Sequence, residues 1–152
     1  GIDLDAELIA RLAAHENVIG LKDSSGNVVK LATLRGMVDR EFRILAGSAG
    51  FFLPALSVGA DGGVMALANI AAAECVAIYQ AFRAGDTESA QEIQLRLVEL
   101  NTAVTARWSV PGLKVAMDLV GLYGGPPRPP LRPIPREAVL AIEDLLHRAG
   151  LL

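Results

Sequence analysis

Cysteine, histidine and aromatic residues are scarce in this chain. Its 152 residues include one cysteine and two histidines, and aromatic residues make up 5%. The single cysteine, Cys75, excludes an internal disulfide and favours a reducing, cytoplasmic setting. Cys75 lies in a stretch typical of a helix interior, so we expect a buried, inert thiol rather than a nucleophile. His15 and His147 lie far apart with no ligand spacing around them, so we expect no metal site.

Excess positive charge and long apolar runs are also missing. Lysine and arginine number 14 against 17 acidic residues, a formal net charge of −3 that disfavours nucleic acid as a partner. The most apolar segment, residues 51–79, is interrupted by Pro54, Asp61 and Asn69, so no membrane helix and no membrane partner are expected. No Gly-x-Gly-x-x-Gly, Walker or Gly-x-Ser-x-Gly pattern occurs. We therefore expect no nucleotide or other cofactor.

The chain does have apolar residues, 52% of the total, in short alternating strand-like and helix-like stretches. Asp3 is the expected cap of the first helix. Val18–Asp23 predicts a strand buried on both faces, because it is a short apolar run followed by turn residues. The predicted order is helix 4–15, strand 18–23, helix 28–38, strand 42–48, helix 51–59 and strand 62–69. This alternation favours a parallel sheet with right-handed crossovers.

From Ile70 onward the pattern predicts helices alone. They are expected over 71–85, 86–106, 111–122 and 136–152, with the proline-rich stretch 123–135 as a packed linker rather than an interaction ligand. Three strands make a narrow sheet, whereas a complete (β/α)8 barrel needs about 250 residues. We therefore predict an α/β fold, the C-terminal part of a TIM barrel with about three βα units in 1–84 and a helical extension in 85–152. A small flavodoxin-like sheet is the competing interpretation, although it normally has five strands.

Lys22 lies at the end of the first predicted strand, in Gly-Leu-Lys-Asp-Ser-Ser-Gly-Asn. The carboxyl ends of parallel strands form the active face of such folds. Apolar neighbours, Leu21 and Ile19, would strip water from the amine, and a neutral amine attacks carbonyl carbons. The chemistry that this predicts is Schiff-base formation with a ketone, followed by making or breaking a carbon–carbon bond. The alternative is a solvated lysine that pairs with Asp23.

Small residues follow the second predicted strand in Ala-Gly-Ser-Ala-Gly, residues 46–50. They would let a ligand approach the backbone, or they would simply permit a tight turn. The segment Asp-Ser-Ser-Gly-Asn after the first strand is equally open to two interpretations. Its N–H groups and hydroxyls suit an anion at a helix start, but they also suit an ordinary cap and turn.

Three segments together, GLKDSSGN, LAGSAGFFLPALSVGADGGVMALAN and PGLKVAMDLVGLYGGPPRPPL, resemble the dihydrodipicolinate synthase and N-acetylneuraminate lyase superfamily of Schiff-base aldolases. The resemblance covers nearly the whole chain in order. It implies a (β/α)8 barrel with a helical C-terminal extension, of which this chain is the C-terminal part. Lys22 matches the Schiff-base lysine of the sixth strand. Gly47 and Ser48 match the point where the seventh strand meets the substrate, and Met65 matches a pocket residue of the eighth.

Within that superfamily the sequence is most similar to 4-hydroxy-2-oxoglutarate aldolases, which split their substrate into pyruvate and glyoxylate. Ser24 is then implied to contact the far carboxylate of the substrate. Dihydrodipicolinate synthase, which joins pyruvate to aspartate semialdehyde, and the sugar-acid dehydratases or aldolases are the alternatives, because they share most of these motifs. The resemblance implies a small 2-oxo acid as substrate, a homo-oligomer (dimer or tetramer), and a catalytic tyrosine on an earlier strand outside this chain. An alternative of another class is a non-catalytic half-barrel that assembles through its open edges.

Overall fold

The computed structural model describes residues 2–152 and has a three-stranded parallel sheet in the order β1, β2, β3. The strands are β1 (Gly20–Asp23), β2 (Arg43–Ala46) and β3 (Gly62–Gly63). The helices are α1 (Ala6–Ala13), α2 (Val28–Met37), α3 (Phe52–Ser57), α4 (Ala72–Ala84), α5 (Thr87–Thr102), α6 (Ser109–Leu119) and α7 (Arg136–Arg148). The α2 and α3 helices connect neighbouring parallel strands, so the predicted α/β architecture is confirmed. None of the helices in residues 2–152 is long and apolar enough to cross a membrane.

The first helix begins two residues later than predicted, at Ala6 rather than Leu4. Asp5, rather than Asp3, is the N-cap, and its carboxylate accepts a hydrogen bond of 2.8 Å from the N–H of Leu8, three residues ahead. Asp3 instead pairs with Lys30 on α2 at 2.8 Å. Asp3 and Asp5 both precede α1. Only Asp5 caps the helix, because its carboxylate can reach the N–H groups of the first turn, which lack partners within the helix.

The third strand is much shorter than predicted. Only Gly62 and Gly63 pair with β2, whereas the strand was predicted to continue to Asn69. Residues 66–69 form a 3₁₀ turn instead. Glycine contributes no side chain to hold a strand in place, and β3 pairs with a neighbour on one side alone among the described residues.

One face of the sheet is covered by helices and the other is open. Ile44 and Ala46 of β2 point into the core, with 1% and 0% of their surface exposed. On β1, Lys22 is exposed, and Ile19 just before the strand is 77% exposed. The prediction that Val18–Asp23 is buried on both faces is therefore wrong for residues 2–152. The helices pack against one side, and the described chain supplies nothing to cover the other.

The helices after residue 70 pack on the same core as the sheet. The α4 helix ends at Gly85, which has φ of 80° in the left-handed region that glycine adopts readily. Asp86 caps α5, and a π-helical turn over Ala103–Arg107 continues it. A single hydrophobic core includes residues from α1 to the chain end. The division into 1–84 and 85–152 therefore stays a prediction.

Candidate active site

Lys22 lies at the carboxyl end of β1, on the face opposite the helices. Successive side chains of a strand point to opposite faces. Asp23 is buried against α2, so Lys22 points to the open face. Lys22 is paired with Leu45 of β2, and both line an open hollow of about 830 Å³. The predicted strand-end position is therefore found. The predicted loss of hydration at the Lys22 amine is not found, because the Lys22 side chain is exposed in the described chain.

Positive groups dominate the polar lining of that hollow. Arg40, Arg43 and Arg83 line it together with Lys22. Arg43 donates to Asp61 at 3.0 Å, and Asp61 also accepts the N–H of Ile44 at 2.9 Å. Arg43 is the first residue of β2 and Arg40 precedes it, so these two cations lie toward the amino end of the sheet, away from the carboxyl edge that carries Ser24 and Gly47.

One interpretation of the sequence paired Asp23 with Lys22, but in the structure Asp23 pairs with Lys30 instead. Its carboxylate, 6% exposed, lies 2.6 Å from the ammonium of Lys30 and accepts hydrogen bonds of 2.8 and 2.5 Å from the N–H and hydroxyl of Ser25. Burial alone would raise the pKa of Asp23. The hydrogen bonds from Lys30 and Ser25 outweigh burial and hold it below its ordinary value. The residue after Lys22 is thus anchored to α2, and Lys22 has no carboxylate partner in this network.

Ser24 and Gly47 are direct neighbours across the ends of β1 and β2. The N–H of Gly47 donates to the carbonyl of Asp23 at 2.7 Å, which extends the pairing of the two strands. A Cβ atom on residue 47 would lie 2.0 Å from the Ser24 hydroxyl, so only glycine fits there. Ser24 is exposed and shares a second hollow with Lys22, of about 460 Å³. The structure thus brings three of the predicted site residues, Lys22, Ser24 and Gly47, to one strand edge.

Ser48 faces the C-terminal helices. Its hydroxyl lies 3.0 Å from Nδ2 and 3.3 Å from Oδ1 of Asn101 on α5, and it accepts the N–H of Gly50 at 3.3 Å. Nearby on α5, Gln94 accepts from the N–H of Leu53 at 2.9 Å and donates to the carbonyl of Ala49 at 2.7 Å. Neither amide was predicted from the sequence. A signal was present, since Gln94 and Asn101 fall within the apolar stripe of α5.

Met65 lies apart from the lysine. It follows β3 and lines a hollow of about 300 Å³ between that strand and α4, together with Cys75 and Tyr79. Its methyl group lies near Gly63, where a Cβ atom would be 3.0 Å away. Lys22 does not line this hollow. The proposed contact of Met65 with substrate stays a prediction.

Cys75 is buried, as predicted, with 4% of its surface exposed. Burial, and secondarily the negative charge of Glu74, raise the pKa of its thiol to about 11. The thiol is therefore protonated at neutral pH. In residues 2–152 no three histidine, cysteine, aspartate or glutamate side chains converge as metal ligands would.

The fold and site together define the class: the C-terminal part of a (β/α)8 barrel whose strand ends carry the polar groups. Solved structures agree with this prediction. Dihydrodipicolinate synthase from Cyanidioschyzon merolae superimposes with a TM-score of 0.93 at 30% identity, covering all of this chain and 52% of that one. The Bacillus anthracis enzyme of the same name gives 0.91 at 27% identity, over 96% of this chain and 50% of its own. The model of the Dihydrodipicolinate synthetase family matches residues 1–149, and the chain belongs to this family.

Curated relatives cover the whole chain at moderate identity. The 4-hydroxy-tetrahydrodipicolinate synthase of Methanococcoides burtonii is 34% identical over all of this chain and 53% of its own length. That of Synechococcus elongatus is 35% identical over 99% of this chain and 50% of its own. The chain thus spans about half the length of these relatives. Their names favour 4-hydroxy-tetrahydrodipicolinate synthase, one of the alternatives above, over the 4-hydroxy-2-oxoglutarate aldolase predicted first.

Proposed function

We propose that the protein makes or breaks a carbon–carbon bond at a 2-oxo acid through a Schiff base on Lys22. The observation that carries the proposal is the position of this lysine at the carboxyl end of β1. Ser24 and Gly47 lie beside it on the open face. In parallel α/β folds this edge is where substrates bind.

The chemistry follows from the reactivity of the amine. Neutral Lys22 attacks the ketone carbon of pyruvate, and loss of water gives an imine that is protonated on nitrogen. Removal of a proton from the methyl carbon moves its electron pair toward that nitrogen and gives an enamine. The enamine carbon attacks an aldehyde, whose oxygen takes up a proton, and hydrolysis of the new imine releases product and restores Lys22. Cleavage is the same sequence in reverse.

We favour aspartate semialdehyde as the aldehyde, and hence 4-hydroxy-tetrahydrodipicolinate synthase, because the curated relatives carry that name. A second candidate is 4-hydroxy-2-oxoglutarate cleavage. Its support is Ser24, whose exposed hydroxyl lies two residues beyond Lys22 at the same edge, where it would meet the far carboxylate of a diacid. The sugar-acid enzymes and the homo-oligomer stay predictions on the resemblance alone.

Reductive trapping tests the lysine. The protein, expressed from its whole reading frame, is incubated with pyruvate and borohydride, digested and analysed by mass spectrometry. We expect the adduct on Lys22, its loss in Lys22→Arg, and its persistence in the matched variant Lys114→Arg. No adduct on Lys22 overturns the proposal. A discrete, stable oligomer of the 152 residues without any adduct would instead favour the assembly module.

Product analysis separates the two aldehyde partners. Pyruvate with aspartate semialdehyde and, separately, 4-hydroxy-2-oxoglutarate are supplied to the protein, and consumption of each is followed by chromatography. Turnover of the first pair supports the synthase. Turnover of the second substrate alone supports the aldolase, and Ser24→Ala is then expected to weaken binding of the diacid.

A further inference from the structure

Two buried amides of α5 hold the loop that follows β2. Asn101 is 4% exposed and Gln94 is 5% exposed, so both amides are buried. They are seven residues apart, about two helical turns, and so lie on the same face of α5. Burying an amide costs free energy unless its hydrogen bonds are satisfied. Here both side chains are bonded to the segment 48–53.

The loop is shaped to receive these amides. Gly50 has no side chain, and a Cβ atom there would lie 2.8 Å from Nδ2 of Asn101. Two N–H groups, from Asn101 and Gly50, point at the Ser48 oxygen. Both lone pairs of that hydroxyl are therefore occupied, which fixes its position. An apolar residue at 101 would leave the Ser48 hydroxyl with fewer partners.

The same loop sets the edge on which Lys22 lies. Gly47, the residue before Ser48, donates its N–H to the carbonyl of Asp23 and contacts Ser24 too closely to allow any side chain. A displacement of Ser48 is transmitted through one peptide unit to Gly47 and from there to Ser24. The path from Asn101 to the lysine edge is thus a series of direct contacts.

We infer that Asn101 is a positioning residue for binding of the 2-oxo acid, acting through Ser48. The helix after the barrel strands would then be part of the binding machinery rather than an appendage. The inference rests on the proposed function, because it assumes that the ligand binds at the edge formed by Lys22, Ser24 and Gly47. Gln94 contributes by anchoring the far end of the same loop at Ala49 and Leu53.

The test measures imine formation directly, which avoids any assumption about the aldehyde. In the protein expressed from its whole reading frame, the borohydride adduct on Lys22 is quantified against pyruvate concentration. For Asn101→Ala we expect the half-saturating concentration to rise about tenfold, the effect of losing one hydrogen bond at the site. Ile142→Ala, which removes a fully buried side chain of α7, is the stability control. It should lower the melting temperature with the half-saturating concentration unchanged.

A double-mutant cycle shows whether Asn101 acts through Ser48. We expect Asn101→Ala to add less than about twofold to the effect of Ser48→Ala, because the hydroxyl that it positions is already gone. Independent, multiplicative effects would overturn the inference. If Asn101→Ala does not fold, Gly50→Ala replaces it, since the added methyl group displaces the amide from the loop side, and the same increase is expected.

The outcomes for inference and function are distinct. An adduct in the unsubstituted protein with an unchanged half-saturating concentration in Asn101→Ala overturns the positioning role and leaves the proposed function standing. No adduct in the unsubstituted protein overturns both. A loss of thermal stability in Asn101→Ala without a change in pyruvate dependence shows a merely structural role and also overturns the inference.

Discussion

The ion pair between Asp23 and Lys30 gives the sharpest energetic test of how the lysine edge is held. The two side chains are 6% and 10% exposed, with 2.6 Å between Oδ2 and Nζ. Lys30→Met keeps a chain of similar length and removes the cation, so the carboxylate stays buried with the Ser25 hydrogen bonds alone. Breaking such a pair from one side costs about 3–5 kcal/mol. We expect about 3 kcal/mol, because Lys30 also reaches the exposed Asp3 and is partly open to water.

Chemical unfolding measures this cost. Urea titrations followed by far-ultraviolet circular dichroism give the free energy of unfolding of Lys30→Met and of the unsubstituted protein. Asp3→Asn is the matched control, since it removes the other partner of the same ammonium. Asp3 is 74% exposed, so its loss should cost less than about 1 kcal/mol. A cost of Lys30→Met no greater than that of Asp3→Asn would refute this role of the buried ion pair.

The same pair predicts a dependence of stability on pH. The pKa of Asp23 is lower in the folded protein than its ordinary value, since the hydrogen bonds from Lys30 and Ser25 outweigh the effect of burial. Its contribution to stability is therefore fully present above the ordinary carboxyl pKa and is lost as the pH falls through the folded value. We expect the difference in unfolding free energy between the unsubstituted protein and Asp23→Asn to shrink below about pH 4. A difference that stays constant from pH 7 to pH 3 would contradict the role of the charged carboxylate.

Two further substitutions test the contact between Gly47 and Ser24, and a labelling experiment tests the burial of Cys75. Gly47→Ala places a methyl group 2.0 Å from the Ser24 hydroxyl. We expect it to lower the free energy of unfolding by about 1–3 kcal/mol, measured by urea titration. It should also reduce the amount of pyruvate adduct on Lys22, measured by mass spectrometry. Gly36→Ala on α2 meets no atom within 4 Å and should stabilise by about 0.5–1 kcal/mol, so equal effects of the two would refute the contact. The Cys75 thiol, with its pKa raised to about 11, should resist Ellman's reagent at pH 8 until urea unfolds the chain; rapid labelling of the folded protein would place it at the surface.

The sequence was sufficient for β1 and β2 because their apolar runs are bounded by turn residues on both sides. It was insufficient for β3, where a glycine-rich entry and the apolar stretch 64–69 resemble a strand. Pairing, which sequence does not display, decides that only Gly62 and Gly63 belong to the sheet. The same limit applies to helix caps, since Asp3 and Asp5 differ only in which N–H each can reach.

The sequence was sufficient to predict site residues that lie next to a strand end. It was not sufficient to predict the residues that distant elements contribute. Lys22 was predicted from its place at a strand end, whereas Ser24 and Gly47 were implied by the family resemblance. In the structure, the parallel pairing of β1 with β2 brings the three residues together. Asn101 is 53 residues from Ser48 in sequence, so no local pattern links them. Gln94 and Asn101 interrupt the apolar face of α5, which indicates that polar groups lie opposite them. Only the packing of α5 on the loop 48–53 identifies these groups.

The exposure of Lys22 constrains how the proposed chemistry can proceed. An ammonium on an open face keeps its hydration, whereas attack on a ketone requires the free amine. Within residues 2–152 the helices cover the opposite face, so a wall over the hollow would have to come from elsewhere, and the relatives are about twice as long as this chain. Imine formation should therefore be far faster in the protein expressed from its whole reading frame than in the isolated 152 residues. Equal trapping rates would mean that the lysine reacts without such a wall.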